Sequence, residues 1–349
     1  MQAKRHRLIL ALFFLPWLAG CGAMSSWRAS QRISYTPMLE KVLVTPAPTL
    51  DDAASYVPRF ALMALFSQVV YRHDMPEARR VQDGCGYLAG GDDVFGMPAD
   101  AQGRRWRRLV WTPEQLRAQP SLPPPCYQQH GLYYETYVHR GAGADGDDVA
   151  VIAIRGTENW ALRVQAADWS ANAAASFGID AAQYRAARET IHPLAVRMKE
   201  DNPRLRVFVT GHSLGGGIAQ QIAYMGTEVD AAYVFDSSPV TNWSEMMLMQ
   251  PSPVKNAYPQ VFRIYHRNEI LQDLRNLSTR MMSKQLERAD YEFYFHDSKK
   301  IASHDMAILT CNFAGFIKDD TAPFDYPASF AAQVLRDPVL CAPVAPGRP

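Results

Sequence analysis

The stretch Thr210-Gly211-His212-Ser213-Leu214-Gly215-Gly216-Gly217 determines how the rest of the chain is interpreted. It follows a β-branched and aromatic run, residues 204–210, that predicts a buried strand, and it precedes apolar residues at helical spacing. A strand, a tight turn and a helix in this order predict a nucleophile elbow with the serine at its apex. Gly211 and Gly215 fit this geometry, because strand and helix approach most closely beside the serine. Ser213 is therefore the predicted nucleophile.

A glycine-rich turn after a strand has two other interpretations. A phosphate-binding loop is disfavoured, because no lysine follows these glycines. A purely structural turn stays open as an alternative, since the pattern Gly-x-Ser-x-Gly also arises by chance in unrelated proteins. The flanking strand and helix favour the catalytic interpretation.

Predicted strands and helices alternate along the chain after this turn and before it. The strands are expected at 132–139, 149–154, 204–210, 231–235, 261–265 and 291–295, and the helices at 60–70, 181–200, 218–225 and 304–317. This alternation predicts an α/β fold, a mostly parallel sheet with helices on both faces. Residues 58–345 are expected to form one α/β-hydrolase domain, and residues 21–57, with Ser, Thr and several prolines, a tether before it.

Composition limits the function classes. The chain has 349 residues, of which 48% are hydrophobic and 20% charged, with a net charge of +1. These values are those of an ordinary globular protein and give no electrostatic reason to expect nucleic-acid binding. Function must therefore be inferred from sites.

The first 20 residues predict a lipoprotein signal peptide. Basic residues at 4–7 precede a short apolar run, 8–18, that is too short to span a bilayer comfortably. Leu18-Ala19-Gly20-Cys21 resembles the lipobox of bacterial lipoproteins, which implies cleavage before Cys21 and lipid attachment to it. Gly22, in place of the aspartate associated with inner-membrane retention, implies an outer-membrane anchor facing the periplasm. A plain cleaved secretion signal is the alternative.

Four further cysteines are expected to form two disulfides, because the predicted compartment is oxidising. Three pairings are possible. Cys85–Cys126 and Cys311–Cys341 are favoured because each closes a loop of moderate length. No CxxC pair or spaced Cys/His cluster occurs, so no metal site is expected.

A serine nucleophile needs a base to remove its proton and an acid to orient that base. In α/β-hydrolases the acid follows the serine in the chain, and the histidine follows the acid. His304 and His296 both follow the last predicted strand. His304 is favoured because the loop before it gives the ring the reach to return to Ser213. His212, adjacent to Ser213, is expected to have a packing role.

Three carboxylates are candidates for the acid. Glu269 is preferred because it lies at the C-terminal end of a predicted strand, where active sites of open α/β sheets gather. Asp273 follows one turn later, and Asp236 follows the preceding strand. Each could instead be a loop carboxylate or a helix cap.

The oxyanion of the tetrahedral intermediate needs fixed hydrogen-bond donors. The backbone N–H of Leu214, directly after the serine, is the first predicted donor. Thr157 is the second, because it follows a buried strand and a glycine. Arg155 is expected to be structural.

Three blocks of the sequence resemble class-3 lipases, also called fungal-type lipases. They are Val151-Ile152-Ala153-Ile154-Arg155-Gly156-Thr157, Gly211-His212-Ser213-Leu214-Gly215-Gly216 and Phe262-Arg263-Ile264-Tyr265-His266-Arg267-Asn268-Glu269-Ile270. The resemblance covers roughly residues 130–315, and the first two blocks are specific. It implies an α/β-hydrolase fold, Ser213 as nucleophile, His304 as base, Thr157 and Leu214 as oxyanion donors, and hydrolysis of lipid esters.

The chain departs from the family pattern at three places. Glu269 stands where the family has an aspartate, Asp236 replaces a glycine, and residues 271–274 replace a proline-containing stretch. These differences indicate a distant bacterial branch. Residues 243–249 are candidates for an acyl pocket or a mobile lid, with core packing the commoner explanation. Residues 160–177 are the alternative candidate for the lid.

The sequence thus predicts a serine hydrolase that cleaves carboxylic esters of lipids, or smaller esters, through an acyl-enzyme without a cofactor. The alternatives are an acyltransferase or thioesterase, and an envelope lipoprotein that retains the fold without catalysis. The membrane is an expected partner through the anchor at Cys21. The sequence predicts no oligomeric state.

Overall fold

A ten-stranded sheet organises the protein in a computed structural model. The structure describes residues 39–45, 49–51, 57–73, 84–87, 104–141, 146–156, 182–240, 260–267, 288–295 and 304–317, together with 271, 334, 336 and 341. The strands are β1 (Leu39–Thr45), β2 (Thr49–Asp51), β3 (Arg107–Arg108), β4 (Cys126–Gln129), β5 (Leu132–His139), β6 (Val149–Ile154), β7 (Arg206–His212), β8 (Ala231–Phe235), β9 (Gln260–His266) and β10 (Arg288–Phe295). The helices are α1 (Val57–Val69), α2 (Gly84–Tyr87), α3 (Pro113–Ala118), α4 (Ala182–Asp201), α5 (Leu214–Met225) and α6 (Met306–Phe316). Within these ranges, no helix combines the length and apolar character needed to cross a membrane.

The centre of the sheet is parallel and its edges are antiparallel. The strand order is β2-β1-β10-β9-β8-β7-β6-β5-β3, and β4 also pairs with β5. Strands β6 to β10 lie side by side in chain order, and each pairs in parallel with the next. The carboxyl ends of these strands therefore meet at one edge of the sheet, where ligand sites of α/β folds gather. The predicted α/β fold is confirmed.

Strands β1 and β2 lie within residues 21–57, the segment predicted to be a tether. β1 pairs antiparallel with β10, and β2 pairs antiparallel with β1. β1 thus lies between β10 and β2, and β2 is the edge strand. Backbone hydrogen bonds can secure such strands without a strong apolar periodicity in their sequences. The sheet therefore begins at residue 39, before the predicted domain start at residue 58. The predicted signal peptide and Cys21 lie outside the described residues.

Side chains alternate along the central strands and build an apolar core on each face of the sheet. In β6, Val149, Val151 and Ala153 join the core beneath α1 and α6, whereas Ala150, Ile152 and Ile154 join the core beneath α4 and α5. All six residues are buried, which explains why β6 reads as a continuous apolar run.

A buried ion pair connects the end of α1 to β5. Arg72 donates from Nε and Nη2 to the two carboxylate oxygens of Glu135, at 2.7 and 2.8 Å. The hydroxyls of Tyr133 and Tyr137 donate to the same carboxylate at 2.6 and 2.8 Å. Burial raises the pKa of Tyr137 well above its usual value, so this phenol stays protonated and donates. The carboxylate therefore accepts four hydrogen bonds, which offsets the cost of burying its charge.

Two disulfides join distant segments. Cys85–Cys126 connects α2 to β4, and Cys311–Cys341 connects α6 to the C-terminal part of the chain. Both pairings favoured from loop length are confirmed.

Candidate active site

Ser213 occupies a strained turn between β7 and α5. Its backbone has φ +57° and ψ −125°, a conformation that is unfavourable for a residue with a Cβ. The Ser213 N–H donates to the carbonyl of Phe235 in β8, and its carbonyl accepts from the N–H groups of Gly216, Gly217 and Ser238. These four hydrogen bonds hold the strained conformation in place. This is the geometry of a nucleophile elbow.

The elbow packs against the end of β6 without room for additional side-chain atoms. A Cβ on Gly215 would overlap the carbonyl oxygen of Ile154. A Cβ on Gly156 would overlap the carbonyl oxygen of His212 and would lie 2.6 Å from the hydroxyl of Tyr71. Glycine at these positions therefore permits the close approach of β6 to the turn. The chain leaving β6 passes directly beside Ser213.

His304 lies two residues before the start of α6, and its side chain reaches Ser213. Its Nε2 lies 2.9 Å from Oγ of Ser213, and its side chain is buried. This distance is within the range needed for proton transfer. The structure thus brings together the predicted nucleophile and base, which are 91 residues apart in sequence.

Asp236 is the candidate acid that the structure describes. It follows β8 directly, is fully buried and has a positive φ of +40°. Its Oδ1 accepts a hydrogen bond of 2.8 Å from the backbone N–H of His266. A carboxylate oxygen of Asp236 and ring nitrogens of His212 and His304 all lie within 4.8 Å of one another. Asp236 therefore lies beside the candidate base.

Several predicted site residues lie outside the described part of the chain. They are Thr157, Glu269, Asp273 and His296, together with the lid candidates 160–177 and 243–249. Of the two predicted oxyanion donors, Leu214 is described. Its N–H belongs to the first turn of α5, where helix geometry leaves amides to donate to acceptors outside the helix.

Tyr71 and His212 belong to this polar cluster, although the sequence assigned neither of them to the site. The Tyr71 hydroxyl lies 2.7 Å from Nδ1 of His212, and the His212 ring centroid is 4.7 Å from that of His304. His212 is buried and its ring packs against those of Tyr71 and His304, which agrees with the predicted packing role, and its Nδ1 also has a polar contact with Tyr71. Tyr71 follows α1, 141 residues before His212, and no local sequence pattern connects the two.

Comparison with known proteins identifies the family. Residues 62–289, more than half of the chain, match the family described as "Phospholipase-like: Tle-like phospholipase domain". The chain belongs to this family. Membership agrees with a lipase-like α/β-hydrolase, whereas the narrower class-3 assignment remains a prediction. No curated protein matches the chain.

Two solved structures resemble the chain at a low level. A mutant form of MDLA from Penicillium cyclopium is 17% identical with a TM-score of 0.38, and the match covers 71% of this chain and 83% of that one. An acylaminoacyl peptidase from Pyrococcus horikoshii is 10% identical with a TM-score of 0.27, and that match covers 63% of this chain and 48% of that one.

The close approach at Gly156 yields a testable prediction. Gly156→Ala places a methyl group against His212 and Tyr71, so the end of β6 must move away from the elbow. We expect hydrolytic turnover to fall about 100-fold, because displacements near 1 Å have effects of this size on catalysis. Turnover and thermal unfolding of the purified variant measure the effect.

Gly146→Ala is the matched control. Gly146 has a φ of +76° and open space where the methyl group would lie, so this change adds backbone strain of about 1–2 kcal/mol without a steric overlap. It should lower stability but leave turnover within about twofold of wild type at a temperature where the protein is folded. Equal turnover in Gly156→Ala and Gly146→Ala would contradict the close approach of β6 to the turn at Ser213.

Proposed function

We propose that this protein is a serine hydrolase that cleaves carboxylic ester bonds of lipids through an acyl-enzyme. The observation that carries this proposal is the 2.9 Å separation between Ser213 Oγ and His304 Nε2 at the apex of the strained turn. A serine hydroxyl becomes a useful nucleophile when a neighbouring base removes its proton. Membership of a phospholipase-like family supports lipid esters as the substrates.

The proposed reaction begins when Ser213 Oγ attacks the ester carbonyl and His304 takes its proton. The oxyanion of the tetrahedral intermediate accepts hydrogen bonds from the N–H of Leu214, at the positive end of α5, and from Thr157. His304 then returns the proton to the departing alcohol, which leaves an acylated serine. Water, activated by the same histidine, hydrolyses the acyl-enzyme and releases the fatty acid.

Glycerophospholipids are the proposed substrate class, because the family is described as phospholipase-like. A lipid anchor at Cys21 would hold the domain at an envelope membrane, where these lipids are present at high local concentration. An acyl pocket or lid formed by residues 243–249, or a lid formed by residues 160–177, is part of the same proposal.

Ser213→Ala tests the nucleophile. We expect fatty-acid release from phospholipid vesicles to fall by at least about 10³-fold, because the remaining groups cannot form an acyl-enzyme. A fluorophosphonate probe should label wild type and not this variant. The matched control is Ser238→Ala, which alters a buried serine whose N–H donates to the Ser213 carbonyl. Because that backbone bond persists, the control should keep labelling, and equal labelling of wild type and Ser213→Ala would refute the assignment.

The identity of the orienting acid gives a second test. The buried position of Asp236 beside His304 supports Asp236, whereas sequence position alone supports Glu269. An acid that orients the base and stabilises its charged form contributes about 10⁴-fold to kcat. We expect Asp236→Asn to lose activity on this scale and Glu269→Gln to stay within about tenfold of wild type. The reverse order in the measured kcat values would assign the acid to Glu269.

A further inference from the structure

Three potential metal ligands converge next to Ser213. One nitrogen of His212, one nitrogen of His304 and one carboxylate oxygen of Asp236 lie within 4.8 Å of one another. The three side chains are all buried, with exposed fractions of 5%, 8% and 0%. Two imidazoles and a carboxylate form a donor set that suits zinc and other divalent transition metals.

Hydrogen bonds outside the cluster hold two of the three ligands in position. The hydroxyl of Tyr71 lies 2.7 Å from Nδ1 of His212, and the backbone N–H of His266 donates to Oδ1 of Asp236 at 2.8 Å. Histidines that bind metals almost always donate their other ring N–H to an oxygen, and carboxylate ligands are hydrogen-bonded in turn. With Nδ1 held by Tyr71 and Oδ1 by the backbone, His212 Nε2 and Asp236 Oδ2 are the atoms that would bind an ion.

The separation of the donors is compatible with binding after small side-chain rotations. Ligands bound to tetrahedral zinc at about 2.0–2.1 Å lie about 3.4 Å from one another. Donors that are at most 4.8 Å apart must approach by about 1.4 Å or less to reach this spacing. Side-chain torsions can supply such a shift without movement of the strands.

We propose that a divalent transition-metal ion of the zinc class binds reversibly to His212, Asp236 and His304 and thereby inhibits the enzyme. The binding follows from the ligand geometry alone, whereas the inhibition rests on the proposed hydrolase function. If the ion takes His304 Nε2, that nitrogen loses the lone pair that accepts the serine proton. If it takes Nδ1, Nε2 carries the ring proton and again cannot accept one. Either geometry disables the base.

Metal binding is tested first in the Ser213→Ala variant, which keeps the three ligands but not the nucleophile. Titration with Co²⁺, a spectroscopic substitute for Zn²⁺, should give a visible absorption band that saturates at one equivalent and is abolished by excess Zn²⁺. Adding His212→Gln should weaken Co²⁺ binding by at least about tenfold, because one ligand is lost. Adding His73→Gln provides the matched control, since His73 is an exposed histidine stacked on Tyr71 outside the cluster. This control should bind as tightly as its parent.

Tyr71→Phe provides a second variant in which all three ligands remain. It removes the phenol that holds His212, and it should weaken Co²⁺ binding about 10- to 100-fold, the usual effect of losing a hydrogen bond to a metal ligand. Absence of a Co²⁺ band in Ser213→Ala would overturn the metal site. Unchanged affinity in both His212→Gln and Tyr71→Phe, with circular dichroism confirming that they are folded, would also overturn it.

Inhibition is measured separately on the full-length wild type. Zn²⁺ should slow fluorophosphonate labelling at least about tenfold at saturation, and EDTA should restore the rate. Unchanged labelling at a Zn²⁺ concentration that saturates the site would overturn the inhibitory role. If wild type fails to react even in EDTA while Co²⁺ still binds, the proposed function fails and the metal site stands.

Discussion

The conformation of Ser213 is the constraint on which the site depends. A non-glycine residue with positive φ persists only when its surroundings hold it there. Here, hydrogen bonds to β8, to the first turn of α5 and to the segment after β8 fix the serine, and glycines allow β6 to approach it closely. Three adjacent strands and one helix thus meet at a single residue. The parallel centre of the sheet makes this possible, because it places the carboxyl ends of β6, β7 and β8 at one edge.

Residues outside the turn also hold the polar groups around Ser213 in place. The Arg72–Glu135 pair fixes the end of α1, and the neighbouring Tyr71 contacts His212. Arg155, at the end of β6, lies over the ring of Tyr133, 4.1 Å from its centroid, and that tyrosine donates to Glu135. The buried carboxylate of Glu135 is therefore linked to the end of α1 through Arg72 and to the end of β6 through Tyr133 and Arg155. Glu135 therefore helps to hold in place the chain segments that surround Ser213.

Local sequence patterns predict much of this arrangement. They do not predict contacts between residues that are far apart in the chain. The run 149–154 and the turn around Ser213 carry their structure locally, through continuous apolar character and glycine spacing. The place of β1 and β2 in the sheet has no such local signal, because it depends on the pairing of β1 with β10, which lies far away in the chain. Strand-end position alone does not show which of the candidate acids lies near the base, and the proximity of Asp236 to His304 appears only in the structure. The contact between Tyr71 and His212 has no local signal, because the two residues are 141 positions apart in the chain.

In the proposed mechanism Ser213 carries an acyl group during turnover, and this intermediate can be trapped. Wild-type protein is mixed with a short-chain ester, quenched in acid within one turnover, and digested for peptide mass spectrometry. We expect an added acyl mass on the peptide that contains Ser213. Ester turnover with no acyl adduct, or with the adduct on a different residue in both wild type and Ser213→Ala, would contradict it.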